Sequence, residues 1–107
     1  MEENNTKSSL IMYMWHVGRF LTEIMIISDS TGSPIIVETF DAGVKLFDTL
    51  GKCVYGSLSY YKIYPELNKF IESLDYDSKS SFDSILEYAY DFSRDFLAFL
   101  EEHNLKK

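Results

Sequence analysis

Hydrophobic residues recur at three- and four-residue steps along most of the chain, which is the spacing of one face of an α-helix. Between residues 37 and 50 they are Val37, Phe40, Val44, Phe47 and Leu50. The last third of the chain has a broader apolar face, formed by Phe82, Ile85, Leu86, Ala89, Phe92, Phe96, Phe99 and Leu100. The pattern predicts one helix that begins near residue 34 and another over about 81–103.

Short polar stretches separate the apolar segments and mark the expected ends of helices. They cover residues 29–33, 51–56 and 75–81. Ser33 is a suitable N-cap for the second helix, and Pro34 suits its first position because a missing N–H costs nothing there. Gly51 is a natural C-terminal stop for the same helix.

Two further segments also have helical spacing. The third runs from Tyr60 to Leu74, and Pro65 either kinks this helix or starts a new one after a short turn. The first, from about Ser9 to Ser28, is apolar nearly all round, which is typical of the most buried helix of a bundle. Within it, Arg19 and Glu23 stand four residues apart and can form an ion pair.

Four such helices with short connections predict an all-α fold. We expect a single-domain antiparallel four-helix bundle at residues 8–104, preceded by a disordered N-terminal tail at 1–7. The alternative is an α+β fold with a β-hairpin at 24–40, because this segment has many β-branched residues around a turn-like DSTGS. A helix–hairpin–helix order would resemble the roadblock and longin-type domains. The helical spacing that continues from Val37 favours the all-α fold.

Composition and charge narrow the function. The chain has 107 residues, 46% of them hydrophobic, and a formal charge of −7. Disorder over most of the chain is therefore excluded, and the acidic balance argues against direct nucleic-acid binding, which needs a basic patch. The single Cys53 excludes an internal disulfide and suits a cytoplasmic, reducing location. The apolar run from Leu10 to Ile27 contains His16, Arg19 and Glu23, so we expect a core helix rather than a membrane span.

The residues that catalysis and cofactor binding need are scarce. The chain contains two histidines and one cysteine, and it has neither an HExxH motif nor a glycine-rich phosphate loop. We therefore expect no catalytic residues, no cofactor and no metal site. His16 and Cys53 are interpreted as structural residues, and a pocket formed by His16, Arg19 and Glu23 would instead indicate a small-molecule sensor.

One feature that can carry a function is a row of carboxylates on the last predicted helix. Asp83, Glu87, Asp91 and Asp95 follow one another at four-residue steps and span about 18 Å of helix. Like charges at this spacing cost a few tenths of a kcal/mol each, and Arg94 is the only basic residue within the row. Such a row either keeps the protein soluble or binds a basic partner.

The other feature is a surplus of tyrosine. Eight of the 107 residues are Tyr, more than a bundle of this size can bury with every hydroxyl bonded. We expect Tyr61, Tyr64 and Tyr90 to serve as partner-binding residues, because tyrosine is enriched at protein interfaces. The segment SLSYYKIYPE at 57–66 resembles the Tyr-Tyr-Pro binding region of colicin-nuclease immunity proteins. The likeness covers those residues alone, so no family is assigned.

Together these features predict a non-enzymatic, cytoplasmic protein that binds other proteins. It would be an acidic inhibitor of the immunity or anti-defence type, such as a phage- or plasmid-borne antagonist, that covers a basic surface of its target. The alternatives are a small structural or regulatory subunit that forms a homodimer, and the small-molecule sensor. Neither direct nucleic-acid binding nor a membrane location is expected.

Overall fold

The protein is described here by a computed structural model that covers residues 2–74 and 81–106, with side chains from Asn5 on. Its elements are α1 (Glu2–Thr31), α2 (Val37–Tyr55), a short 3₁₀ helix (Tyr60–Lys62), α3 (Ile63–Ser73) and α4 (Asp83–Glu102). The described residues contain no strand. The predicted all-α helical bundle is therefore confirmed. The alternative hairpin at 24–40 is wrong, because α1 continues to Thr31 and α2 begins at Val37.

Each helix runs antiparallel to the next. Along α1 and α2, Phe47 lies against Gly18 while Leu21 lies against Gly43, so the two helices run in opposite directions. The same inversion relates α2 to α3 and α1 to α4, in the pairs Thr39 with Ser73, Tyr13 with Phe96, and His16 with Tyr88. Both α1 and α3 pack against α2 and α4, which places α2 and α4 on a diagonal of the bundle.

One face of each helix forms the core. Its fully buried large side chains are Phe20, Phe70, Phe96, Leu10, Ile24, Leu46, Leu50, Ile63, Leu67 and Leu100. Phe20 of α1 meets Phe70 of α3 edge to face, with ring centroids 5.3 Å apart, and Tyr13 stacks on Phe96 at 4.2 Å. Such pairs add about 0.5–1.5 kcal/mol to the burial of their area, so they help to fix how the helices meet.

Helix α2 begins at Val37, later than predicted, because Ser33 and Pro34 belong to the connection from α1. The Ser33 backbone oxygen accepts a hydrogen bond from Ser28 Oγ at 2.6 Å. The Ser33 hydroxyl lies 3.2 Å from the hydroxyl of Ser81, beside the start of α4. Ser33 therefore joins the connection to α1 and α4 and does not cap α2.

The predicted stop at Gly51 is also wrong, because α2 continues for four more residues. The later residues Cys53 and Val54 are buried, so extending the helix removes more apolar surface from water. Gly56 follows the helix, and a Cβ at that position would lie 2.7 Å from the Lys52 carbonyl oxygen. Gly56 is thus the glycine that this end of the helix requires.

The two remaining boundaries concern α3 and the N-terminus. Pro65 lies in the first turn of α3, so a new helix starts after a short turn, which is the second of the predicted alternatives. Helix α1 contains residues 2–7, where we predicted a disordered tail, and Thr6 is buried. Met1, residues 75–80 and Lys107 lie outside the described residues, so the predicted polar stretch 75–81 is described only at Ser81.

Candidate functional site

The outer face of α4 carries the predicted row of carboxylates, and all four are exposed. We call Asp83, Glu87, Asp91 and Asp95 the acidic face. The opposite side of α4 faces the core through Ile85, Leu86, Ala89, Phe92, Ser93, Phe96 and Leu100. Because this apolar side lies against α1 and α3, helical geometry directs the carboxylates to solvent.

Three of the four carboxylates of the acidic face are poorly compensated by basic side chains. Among the described residues, ion pairs join Lys52 to Asp48, Lys69 to Glu66 and Lys106 to Glu101, and none of them involves Glu87, Asp91 or Asp95. The guanidinium of Arg94, inside the row, lies 5.7 Å from the centre of the Tyr90 ring. The acidic charge acts on Tyr13 of α1, which stacks on Phe96: burial raises the pKa of Tyr13 most, and the charges of Asp95 and Glu102 raise it further.

The structure divides the predicted tyrosines into two groups. Tyr90 is 45% exposed and lies beside the acidic face on the same helix. Tyr61 is exposed in the 3₁₀ helix, and Tyr64 lies in the first turn of α3, at the end of the bundle where α4 finishes. The Lys106 ammonium, beyond the end of α4, is 5.7 Å from the centre of the Tyr64 ring. Tyr61 and Tyr64 are therefore remote from Asp83, at the start of α4.

A polar and aromatic cluster lies where α1 meets α4. Nδ1 of His16 is 2.5 Å from the Tyr88 hydroxyl, and the His16 ring stacks on Phe92 with centroids 5.5 Å apart. The Arg19 guanidinium lies over the rings of Tyr88 and Trp15, at 5.5 and 5.7 Å from their centres.

The charges in this cluster act on each other. Burial, and then the Arg19 charge, lowers the pKa of His16 below its ordinary value of 6.5. A neutral imidazole with its proton on Nε2 accepts a hydrogen bond from the Tyr88 hydroxyl.

Among the described residues no ion pair joins Arg19 to Glu23, so the pairing expected from their spacing does not form. His16 holds α1 against α4 through Tyr88, whereas the Cys53 thiol of α2 donates a hydrogen bond to the Ser59 backbone oxygen at 3.5 Å.

The sequence reasoning missed a second surface, on the outer side of α1 and α2. Five large hydrophobic residues of α1 are 40–60% exposed, namely Ile11, Met12, Trp15, Met25 and Ile26. Three residues of α2 are 43–74% exposed, namely Val37, Val44 and Tyr55. The prediction that α1 is the most buried helix is therefore wrong for its outer side. No local signal marks this surface, because the pattern of α1 is apolar on nearly every side and its exposed residues have the same helical spacing as its core residues.

A groove follows this surface between the two helices. It has a volume of about 720 Å³ and is lined by Ile11, Met14, Trp15, Gly18, Phe47 and Tyr55 among others. The alternative sensor hypothesis placed Arg19 and Glu23 in one pocket with His16. Arg19 and Glu23 border this groove, whereas His16 lies toward α4. We call Ile11, Trp15, Val44 and Tyr55, with Met14 and Phe47 as the floor, the apolar face.

Helix α1 is also long and apolar enough to cross a membrane, over residues 5–31, by length and composition only. The core helix of a soluble protein meets the same criteria.

No group of three or more His, Cys, Asp or Glu side chains in the described residues is placed to hold a metal ion. Comparison with protein-family models, with curated proteins and with solved structures finds no match to this chain.

Proposed function

We propose that the protein is a non-enzymatic, cytoplasmic binding module whose acidic face covers a basic surface of a protein partner. The observation that supports this function is the row of exposed carboxylates on α4, of which Glu87, Asp91 and Asp95 take part in no described ion pair. An inhibitor of the immunity or anti-defence type would act in this way on a nuclease or toxin. The partner would lose access to its own nucleic acid because both ligands need the same basic residues.

Charge and aromatic area have separate tasks in this mechanism. The carboxylates steer a basic partner toward α4 and raise the rate of association, an effect that salt reduces. Tyr90 supplies apolar area with a polar tip beside the row, as expected for an interface anchor. Tyr61 and Tyr64 lie at one end of the bundle and would contact only a partner that extends beyond α4.

Charge reversal with a matched control tests the proposal. In one variant, Glu87→Lys, Asp91→Lys and Asp95→Lys reverse the acidic face. In the control, Glu38→Lys, Asp41→Lys and Glu72→Lys reverse three exposed carboxylates of α2 and α3. Each reversal adds two units of charge, so both variants change the formal charge from −7 to −1.

The experiment captures proteins from the native host with each form of the chain as bait. We expect the wild type and the control variant to retain a basic protein that the α4 variant loses. The association rate of that protein with the wild type should fall by at least tenfold between low and high salt. Equal loss of the captured protein with both variants would show that total charge matters and that the acidic face does not.

A further inference from the structure

The apolar face is a second surface that the proposed function does not use. Trp15 is 60% exposed and Tyr55 is 74% exposed, on neighbouring antiparallel helices and along one groove. Scattered apolar residues on a surface need no explanation, but a contiguous patch of this kind marks an interaction site. We propose that this face binds the same face of a second copy of the chain, so that the protein is a symmetric homodimer.

The charges around the groove favour a second copy over other occupants. The charged residues that line it and the adjoining cavity are Arg19, Glu23, Asp48 and Lys52, two of each sign. Asp48 and Lys52 already pair with each other at 3.0 Å. Although the chain carries a charge of −7, this face is neutral, so two copies can meet here without the repulsion that their acidic faces would cause. A neutral face offers no electrostatic attraction to a basic protein or to lipid headgroups.

The size of the face is of the order that a dimer needs. Beyond the apolar face itself, the exposed Val37 extends the apolar positions of α2 to about 27 Å of helix, and two adjacent helices are roughly 20 Å wide. The area that they span, with its polar positions included, is on the order of 500 Å² in projection. Stable interfaces bury about 800 Å² on each partner, so the face is smaller than a typical interface but of the same order.

The proposed geometry also agrees with the position of the acidic face. A symmetric dimer uses the same patch on both copies and closes with two chains. Since α4 lies diagonally across the bundle from α2, dimerisation through α1 and α2 leaves both acidic faces exposed. The dimer would thus carry two copies of the surface on which the proposed function rests, although neither proposal requires the other.

The fluorescence of Trp15 can report whether the chain dimerises through the apolar face. Trp15 is the only tryptophan, and it would pass from 60% exposed in a single copy to buried in the dimer. Sedimentation equilibrium of the purified chain at about 100 μM should give twice the mass of the 12.5 kDa chain. On dilution, the Trp15 emission should shift to longer wavelength and acrylamide quenching should increase, both over the concentration range in which the mass falls.

Two variants show whether this face is responsible. Val44→Glu with Tyr55→Glu places two carboxylates on the apolar face and retains Trp15, and it should weaken dimerisation at least 30-fold. Ser84→Glu with Ala98→Glu adds the same charge at exposed positions of α4 and should leave the dimer intact. Circular dichroism of each variant shows whether the helices are retained, and the wild-type dilution series does not depend on either variant.

Several outcomes would overturn the proposal. A wild-type chain that stays monomeric at 200 μM would do so, as would a dimer equally weakened by both variants. Growth into larger oligomers with concentration would contradict a closed, symmetric pair. A monomer that sediments with phosphatidylcholine vesicles, with a blue shift of Trp15 emission, would assign the face to a membrane instead.

Discussion

At the scale of single residues, two hydroxyl groups in the core differ in whether they are hydrogen-bonded. Thr39 is fully buried, and its Oγ1 donates to the Ser73 backbone oxygen at 2.7 Å. Ser93 is also fully buried, and its Oγ has no hydrogen-bond partner among the described residues. A buried polar group without a partner retains its full desolvation cost, so the two hydroxyls should have opposite effects on stability.

Removing each hydroxyl, by Thr39→Val with a methyl group in its place and by Ser93→Ala with only a hydrogen, tests this difference. Thr39→Val should lower the free energy of unfolding by about 1–2 kcal/mol, because it leaves the Ser73 carbonyl without its donor. Ser93→Ala should leave the free energy of unfolding unchanged or raise it by about 1 kcal/mol. Urea unfolding followed by circular dichroism measures both values. A loss of stability in Ser93→Ala equal to that in Thr39→Val would contradict the difference in bonding.

His16 makes stability depend on pH. Burial and Arg19 lower its pKa in the folded protein below 6.5, whereas in the unfolded chain the pKa is near 6.5. As pH falls below about 6.5, the unfolded state binds the proton first, so the folded state loses stability until the pH reaches the lowered pKa. Well above pH 6.5 the His16 imidazole is neutral in both the folded and the unfolded state, and its contribution to stability is complete.

We therefore expect the wild-type Tm to fall between pH 7.5 and pH 5.5, a range above the ordinary pKa of the carboxylates. His16→Gln should have a smaller fall, because glutamine does not titrate. His103→Gln, which removes the other histidine at an exposed position, is the matched control and should retain the fall that His16 causes. If Tm fell equally with pH in the wild type and in His16→Gln, His16 would not contribute to the pH dependence of stability.

At the scale of the helices, two glycines inside α2 have different surroundings. A Cβ at Gly43 would lie 2.9 Å from Leu21 Cδ2 and 3.2 Å from Phe70 Cε1. At Gly51 the nearest atom would be Met14 Cε at 3.6 Å, which is an ordinary contact. Gly43 therefore lets α1 and α3 approach α2 closely, whereas Gly51 only lowers the helical propensity of α2.

Alanine at each glycine should separate these two roles. Gly43→Ala should lower the free energy of unfolding by about 1 kcal/mol or more, since overpacking costs about 1–3 kcal/mol and exceeds the gain in propensity. Gly51→Ala should raise the free energy of unfolding by up to about 1 kcal/mol. The two variants serve as controls for each other in urea unfolding, and stabilisation by Gly43→Ala would mean that the Leu21 and Phe70 side chains can move aside.

At the scale of the whole molecule, charge is unevenly distributed. The acidic face repels itself at four-residue spacing, with only Arg94 inside the row. In contrast, the exposed carboxylates of Glu38, Asp41 and Glu72 border a cavity with two lysines, Lys45 and Lys69, although Lys69 also lies 3.9 Å from the carboxylate of Glu66. The net charge of −7 should therefore reduce stability mainly through α4.

Neutralising three carboxylates of the acidic face should relieve this repulsion. We expect Glu87→Gln with Asp91→Asn and Asp95→Asn to raise the free energy of unfolding by about 0.5–1 kcal/mol at 20 mM salt. At 500 mM salt the difference from the wild type should largely disappear, because the Debye length falls to about 4–5 Å. Urea unfolding at both salt concentrations gives these values.

The control for that experiment is Glu38→Gln with Asp41→Asn and Glu72→Gln, which removes the same three charges. These carboxylates share their cavity with Lys45 and Lys69, so their removal should give a smaller gain in stability at 20 mM salt than neutralisation of the acidic face. If the two variants gained equally, the repulsion would belong to the total charge of the molecule rather than to α4.

The sequence alone determined the all-α fold, helix α4 and the exposure of its carboxylates. These properties follow from local periodicity, because an apolar face that packs on a core leaves the opposite residues in solvent. The ends of helices were less predictable. Ser33 has the side chain of an N-cap, but its hydroxyl lies beside that of Ser81 instead. Gly51 has the local signal of a helix end, but α2 continues past it because Val54 is buried.

Tertiary structure alone decided which side of α1 the other helices cover. The residues of α1 are apolar on nearly every side, so nothing in the local sequence distinguishes the buried Phe20 from the exposed Trp15. The contact of His16 with Tyr88 joins residues 72 positions apart and likewise has no local signal. The acidic face could thus be predicted from one helix, whereas the apolar face exists only because α1 and α2 pack side by side with no other described element over their outer side.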